Sequence, residues 1–261
     1  MHRILWNGQS AMNANQIKLD IISNNIANMS TNGYKRVEVN FKDSLKESLE
    51  GRGYPSTNKG SFTGTGVIAG ETSREHYQGA LLETGISTDL GIDGLGMFKV
   101  TDAYGKEFYT RDGSFIIDIN GDIVDSNGNK LDIEYTQEYL NLKNQGFDTL
   151  DSKNFIVDSE GKIFRKYDGR LINVGKVPLY SANGSDPYIS VGKNLFIPKD
   201  NVQINKINDT SIYQGKLEAS NVDIGQEFSD MIITQRAFQL GSKSITTADE
   251  MWSMVNNMRS K

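Results

Sequence analysis

Large apolar residues recur every seven positions near both ends of this chain. At the start they are Leu5, Met12, Leu19 and Ile26, with Ile22 and Met29 on the adjoining track; at the end they are Ile224, Met231, Phe238, Ile245 and Trp252. A seven-residue period keeps one side of a helix against a partner helix over many turns. The spacing predicts a first helix over residues 3 to 29, about 40 Å long at the usual rise per residue. Thr31-Asn32-Gly33 reads as its stop, since glycine readily takes the left-handed conformation of a helix end. The last helix starts at Asn221 or Asp223 as cap, with Gln226 three after Asp223 as in a capping box. Its other seam track carries smaller residues, Thr234, Gly241, Ala248 and Val255, which let a partner helix come close. A second short helix is expected over Phe41 to Leu49, where Leu45 and Leu49 stand four apart.

Magnitudes say that neither terminal helix stands well alone. Burying five large apolar side chains yields about 8–15 kcal/mol at best. Ordering a helix of roughly 34 residues costs about 1–2 kcal/mol per residue in backbone entropy, and intrahelical hydrogen bonds return little net against water. Each terminal helix therefore needs a matching stripe, and the other terminus is the obvious source of one. The same stripe would also serve an ordinary helix packed on its own domain, and spacing alone leaves both arrangements open. A seam longer than its own domain can cover stays exposed until further copies bury it. The expectation is chain ends that are loose in the monomer and order on polymerisation.

Between the ends the pattern changes to β. All four prolines, Pro55, Pro178, Pro187 and Pro198, fall there, with most of the glycines. Asp112-Gly113, Asn120-Gly121, Asn127-Gly128, Glu160-Gly161, Asp168-Gly169 and Asn183-Gly184 read as tight hairpin turns with positive φ at both central residues. Strands are expected at Met97 to Val100, Ser114 to Ile119 and Gly161 to Tyr167. Asp-x-x-Gly-x-Ile occurs at Asp118 to Ile123 and again at Asp158 to Ile163, one hairpin used twice. The fold class is α+β: long N- and C-terminal helices paired as a coiled coil, with a central mainly-β domain. The segments are residues 1–50, an N-terminal helical part; 51–215, the β domain with its linkers; and 216–261, a C-terminal helical part.

Composition removes several functions. The net charge is −5 with scattered basic residues, unlike a protein that clamps nucleic-acid phosphates. With no cysteine there is neither a disulfide framework nor a thiolate metal site. Met1 to Gly8 lack an apolar core of signal-peptide length, so export would proceed without a cleaved leader. Gly91-Ile92-Asp93-Gly94-Leu95-Gly96 precedes a strand, whereas a dinucleotide fingerprint follows one; it reads as a bend where backbones pack closely. Asp118 to Asp122 begins like a calcium loop, but Ile123 and Asn129 stand where glycine and a bidentate glutamate are needed. The two histidines, His2 and His76, lack metal-ligand spacing, and only His76 beside a Ser and an Asp would suit a hydrolytic triad. Trp6 and Trp252 read as packing anchors of the helices. No cofactor, metal, nucleic acid or small-molecule substrate is expected, and the chain is not expected to be an enzyme.

Longer motifs carry a resemblance. Ser23-Asn24-Asn25-Ile26-Ala27-Asn28-Met29-Ser30-Thr31-Asn32-Gly33-Tyr34-Lys35 resembles the N-terminal signature of the flagellar basal-body rod and hook family. Gln214-Gly215-Lys216-Leu217-Glu218-Ala219-Ser220-Asn221-Val222-Asp223, Thr234-Gln235-Arg236-Ala237-Phe238 and Ser242 to Met251 resemble its C-terminal signature. Gln78-Gly79-Ala80-Leu81, Tyr109-Thr110-Arg111-Asp112-Gly113-Ser114-Phe115 and Gly192-Lys193-Asn194-Leu195-Phe196 resemble its shared β domain. The resemblance implies a structural polymer: terminal helices in the core of a hollow tube, β domains outside, and export through the flagellar type III apparatus. It implies a homo-oligomeric helical tube that transmits torque to the hook. The implied partners are proximal rod subunits, hook subunits and, where an outer membrane exists, rings around the rod. Length favours the distal rod, with a proximal rod or short hook-type subunit as the alternative. A secreted glycan-binding or cell-wall hydrolase β domain is the reading from a different class.

The residues assigned to subunit interfaces are Leu5, Met12, Leu19, Asn24, Asn25, Ile26 and Asn28 on the first helix. On the last they are Ile224, Met231, Gln235, Arg236, Phe238, Ile245 and Trp252. The asparagine amides either bridge neighbouring subunits or mark a frayed helix end; Gln235 and Arg236 are polar contacts beside the seam or a solvated face. Two departures from the family pattern stand out: Ile86-Ser87-Thr88-Asp89-Leu90 where Asn-Pro-Leu-Asp-Leu is common, and Gly241 in place of an asparagine.

Overall fold

The computed structural model describes residues 2–44, 46–48, 62–137, 139–140, 150–151, 154–167, 170–184 and 187–259. It is α+β, with a helix at each end of the chain and a mainly-β middle. The chain divides into two compact units. The first takes residues 1–27, 36–75 and 222–261; the second takes 28–35 and 76–221.

The first unit holds α1 (His2–Ala27), four strands and α2 (Ile224–Arg259). The strands are β1 (Val37–Asp43), β2 (Lys46–Ser48), β3 (Phe62–Gly64) and β4 (Val67–Arg74). β1 pairs antiparallel with β4, from Val37 opposite Arg74 to Asp43 opposite Val67, with a bulge between Val39 and Phe41. The helix expected over Phe41 to Leu49 is thus replaced in its described part by strand. Val37, Val39 and Phe41 alternate with polar residues, and β4 supplies the ladder that rewards that period over the helical one. Leu45 and Leu49 lie outside the described residues. Asp223 is the cap of α2, its carboxylate accepting from the Gln226 amide at 3.1 Å. The Gln226 side chain turns forward to Asp230 instead of closing a capping box.

The second unit is built on a nine-stranded sheet among the described residues. Its main path orders the strands 188–192, 195–198, 107–110, 97–101, 130–131, 123–124 and 116–117; strand 179–182 joins 97–101 to 204–207. Strand alternation sorts the side chains. Phe98 and Val100 enter a large core with Leu90, Ile92, Ile163 and Val174, while Met97 turns to a smaller aromatic cluster with Tyr109, Tyr188 and Phe196.

One loop recurs. At Asp102, Asp118, Asp125 and Asp158 the backbone amide donates to the carbonyl four residues on, and the glycine three residues on donates back to the aspartate carbonyl. Gly105, Gly121, Gly128 and Gly161 carry positive φ, whereas the residue before each does not. These are type I turns closed by a glycine bulge, which corrects the doubly left-handed turns expected at Asn120-Gly121, Asn127-Gly128 and Glu160-Gly161. That geometry occurs instead at Lys193-Asn194, with φ of 53° and 57°, between strands 188–192 and 195–198. Asp112-Gly113 is an aspartate turn, the Asp112 carboxylate accepting from the backbone and hydroxyl of Ser114. Asp168-Gly169 lies outside the described residues.

Candidate assembly surface

In the first unit α1 and α2 lie antiparallel, Asn25 meeting Glu227 at one end and Gly8 meeting Ile245 towards the other. The buried line of α2 is Glu227, Thr234, Gly241 and Ala248, seven apart. This is the small-residue track. A Cβ built on Gly8 would stand 3.3 Å from the Gly241 carbonyl, and one on Gly241 would stand 3.0 Å from Met12 Cγ. The glycine that departs from the family pattern is therefore where the two backbones approach. Leu5, Met12, Leu19 and Ile26, and opposite them Met231, Phe238 and Ile245, flank this contact half-buried, while Ile224 and Trp252 are exposed. Trp6 is also exposed, which removes its expected role as a packing anchor.

A polar cluster fixes one end of the pair. Glu227 is fully buried and accepts from Arg36 Nε. Arg36 also reaches Glu75 at 3.1 Å. The Asn25 amide donates to the Val37 carbonyl at 2.9 Å and accepts from the Val37 amide at 3.0 Å, clipping the start of β1 to α1. Its NH2 lies 3.4 Å from both Glu227 oxygens. Asn25, expected to bridge subunits, is buried and bonded within its own chain. Asn24, Gln235 and Arg236 are exposed, and Asn28 is half-buried.

A third track along α2, not anticipated from the spacing, is apolar and exposed. Ile233, Leu240 and Met254 fall on one seven-residue register with Thr247 and point to solvent, Ile233 being 65% and Leu240 67% exposed. Phe228 and Ile232 add apolar surface nearby. Ile4, Leu240, Thr247 and Met251 line a shallow groove of about 350 Å³ with Lys243 and Ser244. The register stands in the sequence beside the larger Met231-Phe238-Ile245 track, and spacing alone does not say which of the two faces solvent.

The second unit has its own polar centre. The Glu218 carboxylate accepts from Lys35 Nζ at 2.6 Å, Arg111 Nη1 at 3.0 Å and the Gly79 amide at 3.0 Å. Lys35 also donates to the Tyr77 carbonyl, and Arg111 to that of Gly94. All three residues are buried, Lys35 being 1%, Arg111 5% and Glu218 2% exposed. Burial pushes the Lys35 ammonium down from its ordinary value, with the pull of Glu218 opposing. Here Gly91 lies in a strand beside the Lys216 carbonyl, a close backbone approach and not a nucleotide loop.

Comparison with known proteins decides the family. Residues 5–35 match the model "Flagella basal body rod protein", residues 91–235 the "Flagellar hook protein FlgE/F/G D1 domain", and residues 213–258 the "Flagellar basal body rod FlgEFG protein C-terminal". The flagellar basal-body rod protein FlgG of Borreliella burgdorferi is 32% identical over 99% of both chains. That of Bacillus subtilis is 33% identical over 99% of this chain and 100% of its own. The chain belongs to the flagellar basal-body rod protein family. It is a structural rod subunit of the distal, FlgG type. A hook-basal body complex protein of Bacillus subtilis, FlhP, is also similar, at 27% over 99% of this chain. Lys35, Arg111 and Glu218 come from three separate motifs that carried the resemblance to this family. In the fold they converge on one carboxylate, so those stretches mark a buried ion cluster.

Proposed function

We propose that this rod subunit polymerises through its paired terminal helices into a hollow tubular shaft that transmits torque to the hook. The helix pair acts as a short coiled coil, and the tube core forms where the exposed α2 track of one copy packs against the helices of the next. The supporting observation is that track: Ile233, Leu240 and Met254 on one register, solvent-facing in the single chain. Isolated exposed apolar residues are ordinary, but a patch aligned along a helix marks an interaction surface. Leu5, Met12, Leu19 and Ile26 with Met231, Phe238 and Ile245 hold the pair. In this arrangement neighbouring copies are met by Asn24, Asn28, Gln235, Arg236, Ile224 and Trp252. The partners are further copies, proximal rod subunits and hook subunits, reached after unfolded passage through the flagellar export channel to the basal body.

The test is the double variant Ile233→Asp/Leu240→Asp. Because both positions face solvent, the monomer keeps its helical circular dichroism and its urea midpoint. Self-association is lost, and basal bodies from cells carrying the variant stop before the hook in electron micrographs. Complete rods with attached hooks would overturn the proposal.

A further inference from the structure

The chain holds five Asn-Gly pairs, beginning at Asn7, Asn32, Asn120, Asn127 and Asn183. Glycine leaves the next backbone nitrogen without a side chain to shield it, so that nitrogen can reach the asparagine amide carbon and close a five-membered imide. In an unfolded chain this chemistry is open to all five alike. The fold treats them differently. Gly8 lies inside α1, where the helical ladder holds its amide. The Gly33 amide donates to the Glu218 carbonyl at 2.7 Å, that of Gly121 to Asp118 at 2.8 Å and that of Gly128 to Asp125 at 3.0 Å. An engaged N–H must leave its acceptor before its nitrogen can attack. Gly33 is also walled in, since a Cβ built there would stand 2.7 Å from the Arg111 backbone. The Asn120 side chain is tied as well, donating to the Asp118 carboxylate at 3.2 Å.

Asn183-Gly184 differs on each count. Both residues are exposed. Among the described residues neither the Gly184 amide nor the Asn183 side chain makes a hydrogen bond. The doubly left-handed turn expected at this pair is not formed: only Gly184 has positive φ, at 140°. Among the described residues a Cβ built on Gly184 would meet nothing nearer than Pro187 Cβ at 3.7 Å, so the local backbone has room to turn. Both residues line a cavity of about 300 Å³, which gives water access to the reacting carbon.

We propose that Asn183 is the position at which the folded chain spontaneously deamidates. The Gly184 nitrogen gives up its proton and bonds to Asn183 Cγ; the Cγ–Nδ2 bond breaks and ammonia leaves with that proton. Water then opens the imide at either carbonyl. One route yields aspartate, and the other isoaspartate, whose backbone runs through the former side chain and is longer by a carbon. Each event makes the net charge of −5 more negative by one. Water is the sole co-reactant. The strands on either side keep their own ladders, 179–182 with 204–207 and 97–101, and 188–192 with 195–198, so the longer backbone is absorbed between them. The β unit thereby carries a chemical mark that accumulates with the age of the subunit, and the mark is independent of the assembly reading.

The experiment incubates the full-length chain at mildly alkaline pH, folded and in parallel unfolded in urea. Each Asn-Gly peptide is followed by mass spectrometry with electron-transfer fragmentation, which tells isoaspartate from aspartate. In the folded chain, deamidation at Asn183 should run at least about fivefold faster than at any of the other four, the weight of one ordinary hydrogen bond. In urea the five rates should converge, because the fold that separates them is gone. Asn183→Gln, whose longer side chain would have to close a six-membered ring, should keep the circular dichroism of the parent and lose the leading acidic species in isoelectric focusing. Comparable rates at the five pairs of the folded chain, a lead taken by any other pair, the same ranking in urea, or an undiminished acidic species in folded Asn183→Gln protein would each overturn the proposal.

Discussion

Replacing Glu218 by Gln removes one charge and almost no volume, so it isolates the electrostatics of the β unit. The carboxylate receives Lys35 at 2.6 Å and the Gly79 amide at 3.0 Å on one oxygen, and Arg111 at 3.0 Å on the other. An amide can keep one acceptor but turns its NH2 towards the remaining donors. Hydrogen bonds to charged groups are worth about 1.5–3 kcal/mol each, and two of these are cationic. Removing one partner from a buried ion cluster typically costs about 3–5 kcal/mol, because the charges left behind stay desolvated. A domain holds about 5–15 kcal/mol in all, so the loss is a large share. With a urea slope near 2 kcal/mol/M it lowers the midpoint by about 2 M. Aromatic residues give a selective readout. Both tryptophans, Trp6 and Trp252, lie in the helical unit, so near-ultraviolet dichroism from tyrosine follows the β unit while tryptophan fluorescence follows the other. The tyrosine transition should move and the tryptophan transition should not. The control is Glu134→Gln, which breaks the half-exposed pair with Lys206 and should cost less than about 1 kcal/mol. A Glu218→Gln protein within about 1 kcal/mol of wild type would refute the reasoning, since the cluster would then carry no net weight.

Two other expectations are measurable in the same way. Gly241→Ala gains about 1 kcal/mol of helix propensity but sets a methyl 3.0 Å from the movable Met12 Cγ, so its unfolding free energy should stay near wild type; Gly241→Leu cannot be accommodated and should cost more than about 2 kcal/mol by tryptophan-detected unfolding. Tyr135 and Tyr188 are pushed up to about 12, chiefly by burial. The folded state therefore keeps protons that the unfolded chain releases near pH 10, so their contribution is intact below that pH and is lost as pH rises towards 12. Denaturant midpoints should fall steeply across that window, with tyrosinate absorbance of the folded protein delayed relative to the unfolded chain.

The helices, the β middle and the aspartate–glycine hairpins were legible because each is written in local spacing. What spacing does not encode is which of two parallel tracks goes inside. Met231, Phe238 and Ile245 have the greater transfer energy, yet Thr234, Gly241 and Ala248 form the buried line, since close backbone approach selects small side chains and leaves large ones at the flanks. The Phe41 segment failed for a related reason. Its partner strand lies at Val67 to Arg74, and a ladder between distant residues decides a period that local propensity leaves ambiguous. The ion clusters were hidden because their members are far apart in the chain. Lys35 and Arg36 are neighbours in sequence, yet one bonds Glu218 in the β unit and the other Glu227 in the helical unit.

That choice of inner track has a consequence for how the proposed tube would grow. A seam made of glycine, alanine and threonine brings helices close but buries little apolar area, so the flanking tracks remain as the store of binding energy. Fully burying Ile233, Leu240 and Met254 would return about 1.5–3 kcal/mol each. Bringing one copy to another costs about 4–15 kcal/mol in lost freedom before side-chain ordering is counted. One such contact is therefore marginal, and a copy held on one side only should dissociate. A copy seated in the wall of a tube touches several neighbours yet loses its translational freedom once, so each added contact contributes nearly its full burial. Growth on an existing end is then favoured over fresh nucleation in solution, as a shaft built at one place in the cell requires.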